Sequence, residues 1–483
     1  MVGEMQADYV FSGATLVDGS GGERTVADVA IRGERIVDIG NLGLVQDVPV
    51  VDAKGLVLAP GFIDSHTHDD GYLLVHPDMT PKVSQGITTV VTGNCGISLA
   101  PLVREEVPQP LDLLGPLDLF HFPTFKSWLD ALRAEPPAVN VVPLLGHTTL
   151  RVAAMSDLGR AATTAEREAM RTMLQEALSA GAFGVSTGTF YPPAAAAPTD
   201  EIIDVCLPMR EAGGIYATHL RDEADEIVAA IEEALLIGRQ TNTRVVFSHH
   251  KLAGQRNHGR SRETLDLISA AASSQEVCLD CHPYPATSTM LRLDRVKIAS
   301  RTMITWSKGH PQAQGRDFAD LMQEFGTDEQ GTLERLSPAG AIYFLMDEKD
   351  VDRIFQHPLT MVGSDGLPFD PHPHPRQWGT FTKVLKTMVR EKQLLSLETA
   401  IHKMTGLTAQ QYGLTERGLL KPGYYADLVL FDPLVVGDSA TFEDPVQISR
   451  GVCGVWVNGR QVWDGMQAGQ DRPGKVLRPA HAD

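Results

Sequence analysis

Residues 61–70 read GFIDSHTHDD. The apolar run that leads into them, LVLAPGFID from Leu56 to Asp64, has the composition of a buried strand. Side chains alternate along an extended chain, so His66 and His68 leave the strand end on one face and can hold one ion between two imidazoles. Histidines at this spacing also occur on many surfaces and in many cores, so the pair takes its meaning from the rest of the chain.

Working outward, the strand pattern recurs. Apolar runs appear as FIDSHTH, ITTVVTGNC, VNVVPLLGH, FGVSTGTFY, GIYATHLRD, RVVFSHHK, VCLDCHPY and LTMVGSDG, and amphipathic helices lie between several of them. TAEREAMRTMLQEALSAG ends on Gly181, a good helix stop, and DEADEIVAAIEEALLIGRQ opens on acids that favour a helix start. Near-continuous apolar strands alternating with helices predict the buried parallel strands of an α/β chain, a (β/α)8 TIM-like barrel. A doubly wound open sheet is the alternative, but it predicts no special chemistry at every strand end.

The strand ends carry that chemistry: His66 and His68, Cys95, His147, Ser186 and Thr187, His219, His249 and His250, His282 and Tyr284, and Asp365. In a barrel these ends converge on one rim, where active sites of that fold sit. Histidine, cysteine and aspartate are the ligand set of a transition metal, above all zinc.

Both ends of the chain are β-rich. VAIRGERIVDIG near the start and VWVNGRQVWDG near the end each read as strand, glycine-containing turn and strand. Residues 1–60 plus 415–483 are therefore expected to form one small β-sandwich domain, with a catalytic barrel at 61–414 between them. Residues 286–343, between the seventh and eighth strands, exceed a simple crossover helix and are expected to form an inserted lid or subdomain. Arg292 and Arg295 within it could meet an acidic side chain, but a solvated role is expected.

The 483 residues exceed the size at which one hydrophobic core stops growing, and 43% hydrophobic with 21% charged residues is the composition of a globular enzyme. A net charge of -19 with no basic patch argues against nucleic acid and anionic membrane as partners. The N-terminal MVGEMQADYV shows no apolar signal region, and Cys95, Cys206, Cys278, Cys281 and Cys453 are few and scattered, so a cytoplasmic location is expected. Cys278 and Cys281 read as small buried thiols of a strand, and Cys206 and Cys453 as core residues.

With GFIDSHTH, YATHLRDE, VFSHHKLAG and SDG in place, the chain resembles the metal-dependent amidohydrolase superfamily over nearly its whole length. Members that carboxylate a lysine on the fourth strand are unlike it, because FGVSTGTFY has none. TGNCGISLAP, GAFGVSTGTFYPP, PAGAIYFLMDE, MVGSDGLP and HPRQWGTF resemble the D-aminoacylases, the N-acyl-D-amino-acid deacylases. That resemblance implies that Cys95, His219 and His249 bind a tight zinc and that His66, His68 and Asp365 form or border a weaker second position. His250 then points to the opposite face of its strand, and His147 is expected to be a supporting or core histidine.

Zinc is asked to lower the pKa of a bound water towards ~7 and to polarise an amide carbonyl. Asp365 is expected to take the water's proton and return it to the departing nitrogen. The substrate's carboxylate needs a cation, and Arg376 follows the last strand with a planar fork suited to it. The resemblance adds Lys251, Ser288 and the position of His282 to that pocket, although HPY stands where the family pattern is YPY, an imidazole in place of a phenol. The expected substrate is an N-acyl-D-amino acid with a neutral, apolar side chain, the D configuration being an implication of the resemblance alone. The alternatives are a cyclic-amide hydrolase, a deaminase using Glu223, which lies near His219 at another spacing, or a non-catalytic barrel. Oligomeric state is left open.

Overall fold

The structure is a computed structural model that describes residues 7–42 and 48–480. The first part of the stretch read for a signal, residues 1–6, lies outside the described residues, as do residues 43–47 and 481–483 of the two terminal segments.

The architecture is mixed α/β. Its centre consists of parallel strands in chain order: β1 (Phe62–Asp64), β2 (Ile87–Thr92), β3 (Asn140–Pro143, resuming as Leu145–Gly146), β4 (Gly184–Gly188), β5 (Ile215–His219), β6 (Arg244–Phe247), β7 (Val277–Cys281) and β8 (Thr360–Val362). Each pairs with the next in parallel register. The order returns to its start just beyond the strands: the Ser65 amide donates to Val362 O at 3.2 Å, the Asp365 amide to His66 O at 2.8 Å, and Thr67 and Gly366 form a parallel bridge. All eight apolar runs read from the sequence are in these strands.

Alternation along the strands places Val91, Val142, Val246, Cys278 and Met361 in one interior cluster with Tyr412. Each fully buried aliphatic side chain there contributes about 1.5–3 kcal/mol. Tyr412 satisfies its hydroxyl on Ser65 O at 3.1 Å, so the aromatic plug is also tied to the end of β1. Cys278 is part of this packing, and all five cysteines are free.

The helix Thr164–Ala180 starts on a Thr163–Glu166 capping box and ends at Gly181, whose φ of +117° lies in the left-handed region. The next predicted helix begins later than its acids suggest, at Ile227. Asp222 accepts from the amides of Ala224 at 2.6 Å and Glu226 at 3.2 Å, closing a turn where helix was expected.

Both termini enter one sheet, in the order Arg460–Trp463, Val452–Val457, Leu428–Phe431, Val57–Pro60, Tyr9–Leu16, Thr25–Arg32 and Arg35–Gly40, with Val50–Asp52 also paired to Tyr9–Leu16. The two turn-containing segments compared above are its outer hairpins. Phe11 and Trp456 meet edge to face at 4.8 Å in its core, joining strands from opposite chain ends. Between β7 and β8, the strands Ala286–Met290, Ala339–Phe344 and Arg301–Ser307 form a separate antiparallel sheet. No helix among the described residues is long and apolar enough to cross a membrane.

Candidate active site

Beyond the C-terminal ends of the parallel strands, six residues from five strand ends meet. The potential donor atoms of His66, His68, Cys95 and Asp365 all lie within 4.8 Å of one another, as do those of Cys95, His219 and His249. Cys95 belongs to both groups, with Sγ at 3.3 Å from His66 Nε2 and 3.2 Å from His249 Nε2. The backbone bends to achieve this: Cys95, His249 and Asp365 have φ of +52°, +37° and +50°. Such angles are costly for residues with a Cβ, and strained positions of this kind gather at functional sites.

All these side chains are buried. Burial holds the imidazoles of His66, His219 and His249 below the usual histidine range, His66 at about 3, so each ring is neutral and has a lone pair to give. Both ring nitrogens of His219 are buried without a hydrogen-bond partner, which leaves a lone pair free for a metal. Burial and the neighbouring Asp365 push the Cys95 thiol well above its usual range. Zinc would displace that proton and take the thiolate. The residues present therefore fit zinc: a thiolate with two neutral imidazoles at one position, and two imidazoles with a carboxylate beside it.

Asp365 Oδ1 lies 3.2 Å from His68 Nε2 and 3.5 Å from His66 Nε2, and Oδ2 lies 2.8 Å from Arg376 Nη1. Burial opposes its charge, but Arg376 and His249 beside it hold the carboxyl well below its usual range. It is ionised at neutral pH and can accept a proton.

Lys251 and Ser288 line the cleft above this cluster, whose empty volume is about 520 Å³. His282 and Arg376 are not on its wall; they are buried behind it. The Arg376 guanidinium is turned onto the nearest anion, Asp365, with Nη1 also 3.2 Å from His282 Nε2 and Nη2 donating to Ser288 O at 3.0 Å. Its Nε is buried without a partner. His250 donates to or accepts from Thr264 at 2.9 Å, away from the cluster. His147 is buried near Glu201, at 3.8 Å, outside both groups.

Two expectations about charge need correction. Arg295 is buried, not solvated: its guanidinium covers the Phe190 ring at 4.2 Å, lines the cleft and lies 3.7 Å from Glu223. Phe190 comes from the end of β4, so nothing within the insertion's own sequence signals the burial. Arg292 is half-buried over the same ring and forks onto Asp294.

Glu223, weighed from the sequence only for deamination, accepts from Lys251 at 2.6 Å and stands 3.2 Å from His249 Nδ1 and 3.6 Å from His219 Nε2. Burial opposes its charge, but His219 and Lys251 hold it well below the usual carboxylate range. Lys251 Nζ lies 2.6 Å from the same His249 Nδ1, so Glu223 and Lys251 together fix the ring whose Nε2 faces Cys95. Asp280 was also missed. It sits inside VCLDC, accepts from the strained His249 amide at 2.8 Å and faces His66 Nδ1 at 3.5 Å.

A sequence profile of the amidohydrolase family matches residues 49–463, and the chain belongs to that family. It is 73% identical over 478 residues to the N-acyl-D-aspartate deacylase of Alcaligenes xylosoxydans xylosoxydans, covering 99% of this chain and 96% of that protein. Among solved structures, a D-aminoacylase described by its binuclear metal centre, with one-metal activation and second-metal attenuation, matches at 54% identity and a TM-score of 0.96. That match covers 98% of this chain and 100% of the other. The N-acyl-D-glutamate deacylase of Bordetella bronchiseptica, complexed with zinc and a phosphonate mimic of the reaction's tetrahedral intermediate, matches at 47% identity and a TM-score of 0.95, over 98% and 100%.

Replacing Cys95 removes the one ligand common to both groups. Dialysed Cys95→Ala is expected to lose its tight zinc, measured as metal per chain by atomic absorption, while its far-ultraviolet circular dichroism stays that of the parent.

Proposed function

We propose that the chain hydrolyses the amide bond of N-acyl-D-amino acids, releasing a carboxylate and a free D-amino acid, and that its closed order of parallel strands is a (β/α)8 barrel over residues 61–414. In this reading residues 1–60 plus 415–483 form the small β domain, and 286–343 form a lid. Thr287, Ser288, Thr289 and Arg295 on the cleft wall support the lid assignment. Free cysteines and the acidic balance support a cytoplasmic enzyme that handles neither nucleic acid nor membrane.

The observation that carries the mechanism is an ionised, buried Asp365 within 3.5 Å of two ligand imidazoles and inside the same cleft as Cys95, His219 and His249. Cys95, His219 and His249 would hold the tight zinc, and His66, His68 and Asp365 would border a weaker second position. Bound zinc supplies Lewis acidity, bringing a water's pKa towards ~7 and polarising the amide carbonyl. Asp365 accepts the proton of that water and delivers it to the amide nitrogen as the C–N bond breaks, so one carboxyl serves as base and then acid. Arg376 balances its charge until the proton arrives.

The substrate's α-carboxylate is received at Ser288 on the cleft wall, with Arg376, whose Nη2 donates to Ser288 O from behind, and His282 beside it supplying the cationic side of the pocket. Lys251 and Arg295 carry the remaining positive charge of the cleft. With Asp365 paired to Arg376, Lys251 and Arg295 face one other carboxylate of the wall, Glu223, which leaves it complementary to an acidic substrate side chain, in line with the 73% identity to an N-acyl-D-aspartate deacylase. An acidic side chain replaces the apolar one expected from the sequence.

Three measurements follow. Asp365→Asn is expected to abolish turnover of an N-acetyl-D-amino acid while zinc per chain stays that of the parent; loss of metal together with activity would reduce Asp365 to a structural ligand. Arg376→Ala should raise KM for an N-acyl-D-amino acid far more than for the matching uncharged N-acyl amide, and equal effects would remove Arg376 from carboxylate binding. In a panel of N-acetyl-D and N-acetyl-L amino acids, kcat/KM should be highest for D-aspartate or D-glutamate derivatives. Arg295→Ala should then lower that preference over D-leucine by about 10-fold or more, the worth of a charge-assisted hydrogen bond.

A further inference from the structure

Below the site, where β1 and β8 meet, no regular ladder joins the strands; the seam described above consists of two amide bonds and one bridge. A buried side-chain network completes it. Asp64 Oδ1 accepts from the amides of His66 at 3.3 Å and Ser364 at 2.8 Å, and Asp64 Oδ2 accepts from Ser364 Oγ at 2.5 Å. One carboxylate thus spans the seam, gripping the segment that carries His66 and His68 and the residue immediately before Asp365. Lys82, on the short helix after β1, is 0% exposed and donates to Asp64 Oδ2 and to Ser364 Oγ, both at 2.9 Å, with Asp69 Oδ2 at 3.2 Å. It is an ammonium inserted between two carboxylates, with no route to solvent and no contact with the cleft.

We infer that Lys82 is a positioning residue for the reaction: by neutralising Asp64 and ordering Ser364, it fixes Asp365 against the His66–His68 pair. A buried carboxylate without its partner turns to other donors or swings away from those it holds. Either change would loosen the Ser364 grip, and the carboxyl of Asp365 would leave the place where it takes and returns a proton. Small misplacements of a reacting group are costly in rate. The tight zinc position is carried by other strand ends, Cys95 after β2, His219 on β5 and His249 after β6, none of which the Asp64 network grips.

This inference rests on Asp365 as base and acid. The test compares zinc-loaded full-length Lys82→Met and Ser364→Ala with the parent, counting active sites by titration with a phosphonate that mimics the tetrahedral intermediate. In both variants kcat per titrated site is expected to fall by about 10-fold or more, the usual cost of removing a group that orients a site residue. KM and zinc per chain are expected to stay those of the parent. Unchanged kcat per titrated site in Ser364→Ala, or activity lost only in step with titratable sites, would overturn it. If Lys82→Met does not fold, Ser364→Ala decides alone. Turnover by Asp365→Asn would instead strike the base reading itself, which separates the two failures.

Discussion

Cys95 Sγ stands 3.3 Å from His66 Nε2 and 3.2 Å from His249 Nε2, and the rest of the site is arranged around the loop that puts it there. In TGNCG, Gly93 and Gly96 both have positive φ, and a Cβ on Gly93 would lie 2.0 Å from Leu144 O. Only glycine lets the chain turn that closely against β3. Ser186, from β4, accepts from the Gly96 amide at 2.8 Å and donates to Gly93 O, and Asn94 donates to Val91 O at 2.9 Å. The cysteine is thereby held in a left-handed conformation by neighbours on three strands, and its sulfur is shared between two groups of imidazoles.

Electrostatics follow from that burial. In water a histidine is partly charged near neutrality; inside, His66, His219 and His249 are neutral with lone pairs to give, while Asp365 and Glu223 stay ionised because Arg376 and Lys251 accompany them. Each carboxylate therefore has its own cation, and each serves a different half of the site. The chain as a whole carries -19, which repels an anionic substrate until salt screens the field beyond ~8 Å. The buried lysine and arginines then supply attraction at the short range where water is excluded.

Much of this was legible in the sequence. The parallel strands were visible as apolar runs closing on His, Cys and Asp, since period-two alternation and ligand chemistry are both local properties. Gly181 marked its helix end for the same reason. Arg295, Glu223, Asp280 and Lys82 were not legible, because their significance lies in partners far along the chain: Phe190 for Arg295, His249 for Glu223 and Asp280, Ser364 for Lys82. A charged residue in a polar stretch reads as solvated until the fold supplies its counterion. The acids at 222–226 failed differently, because Asp222 could satisfy nearby amides in a turn and so delayed the helix they seemed to start.

The central claim is that one thiolate and two imidazoles hold the tight ion. Zinc-edge X-ray absorption on protein loaded with one equivalent tests it directly. A single sulfur at about 2.3 Å with nitrogen ligands at about 2.0–2.1 Å is the predicted shell. A shell of nitrogen and oxygen alone would contradict it.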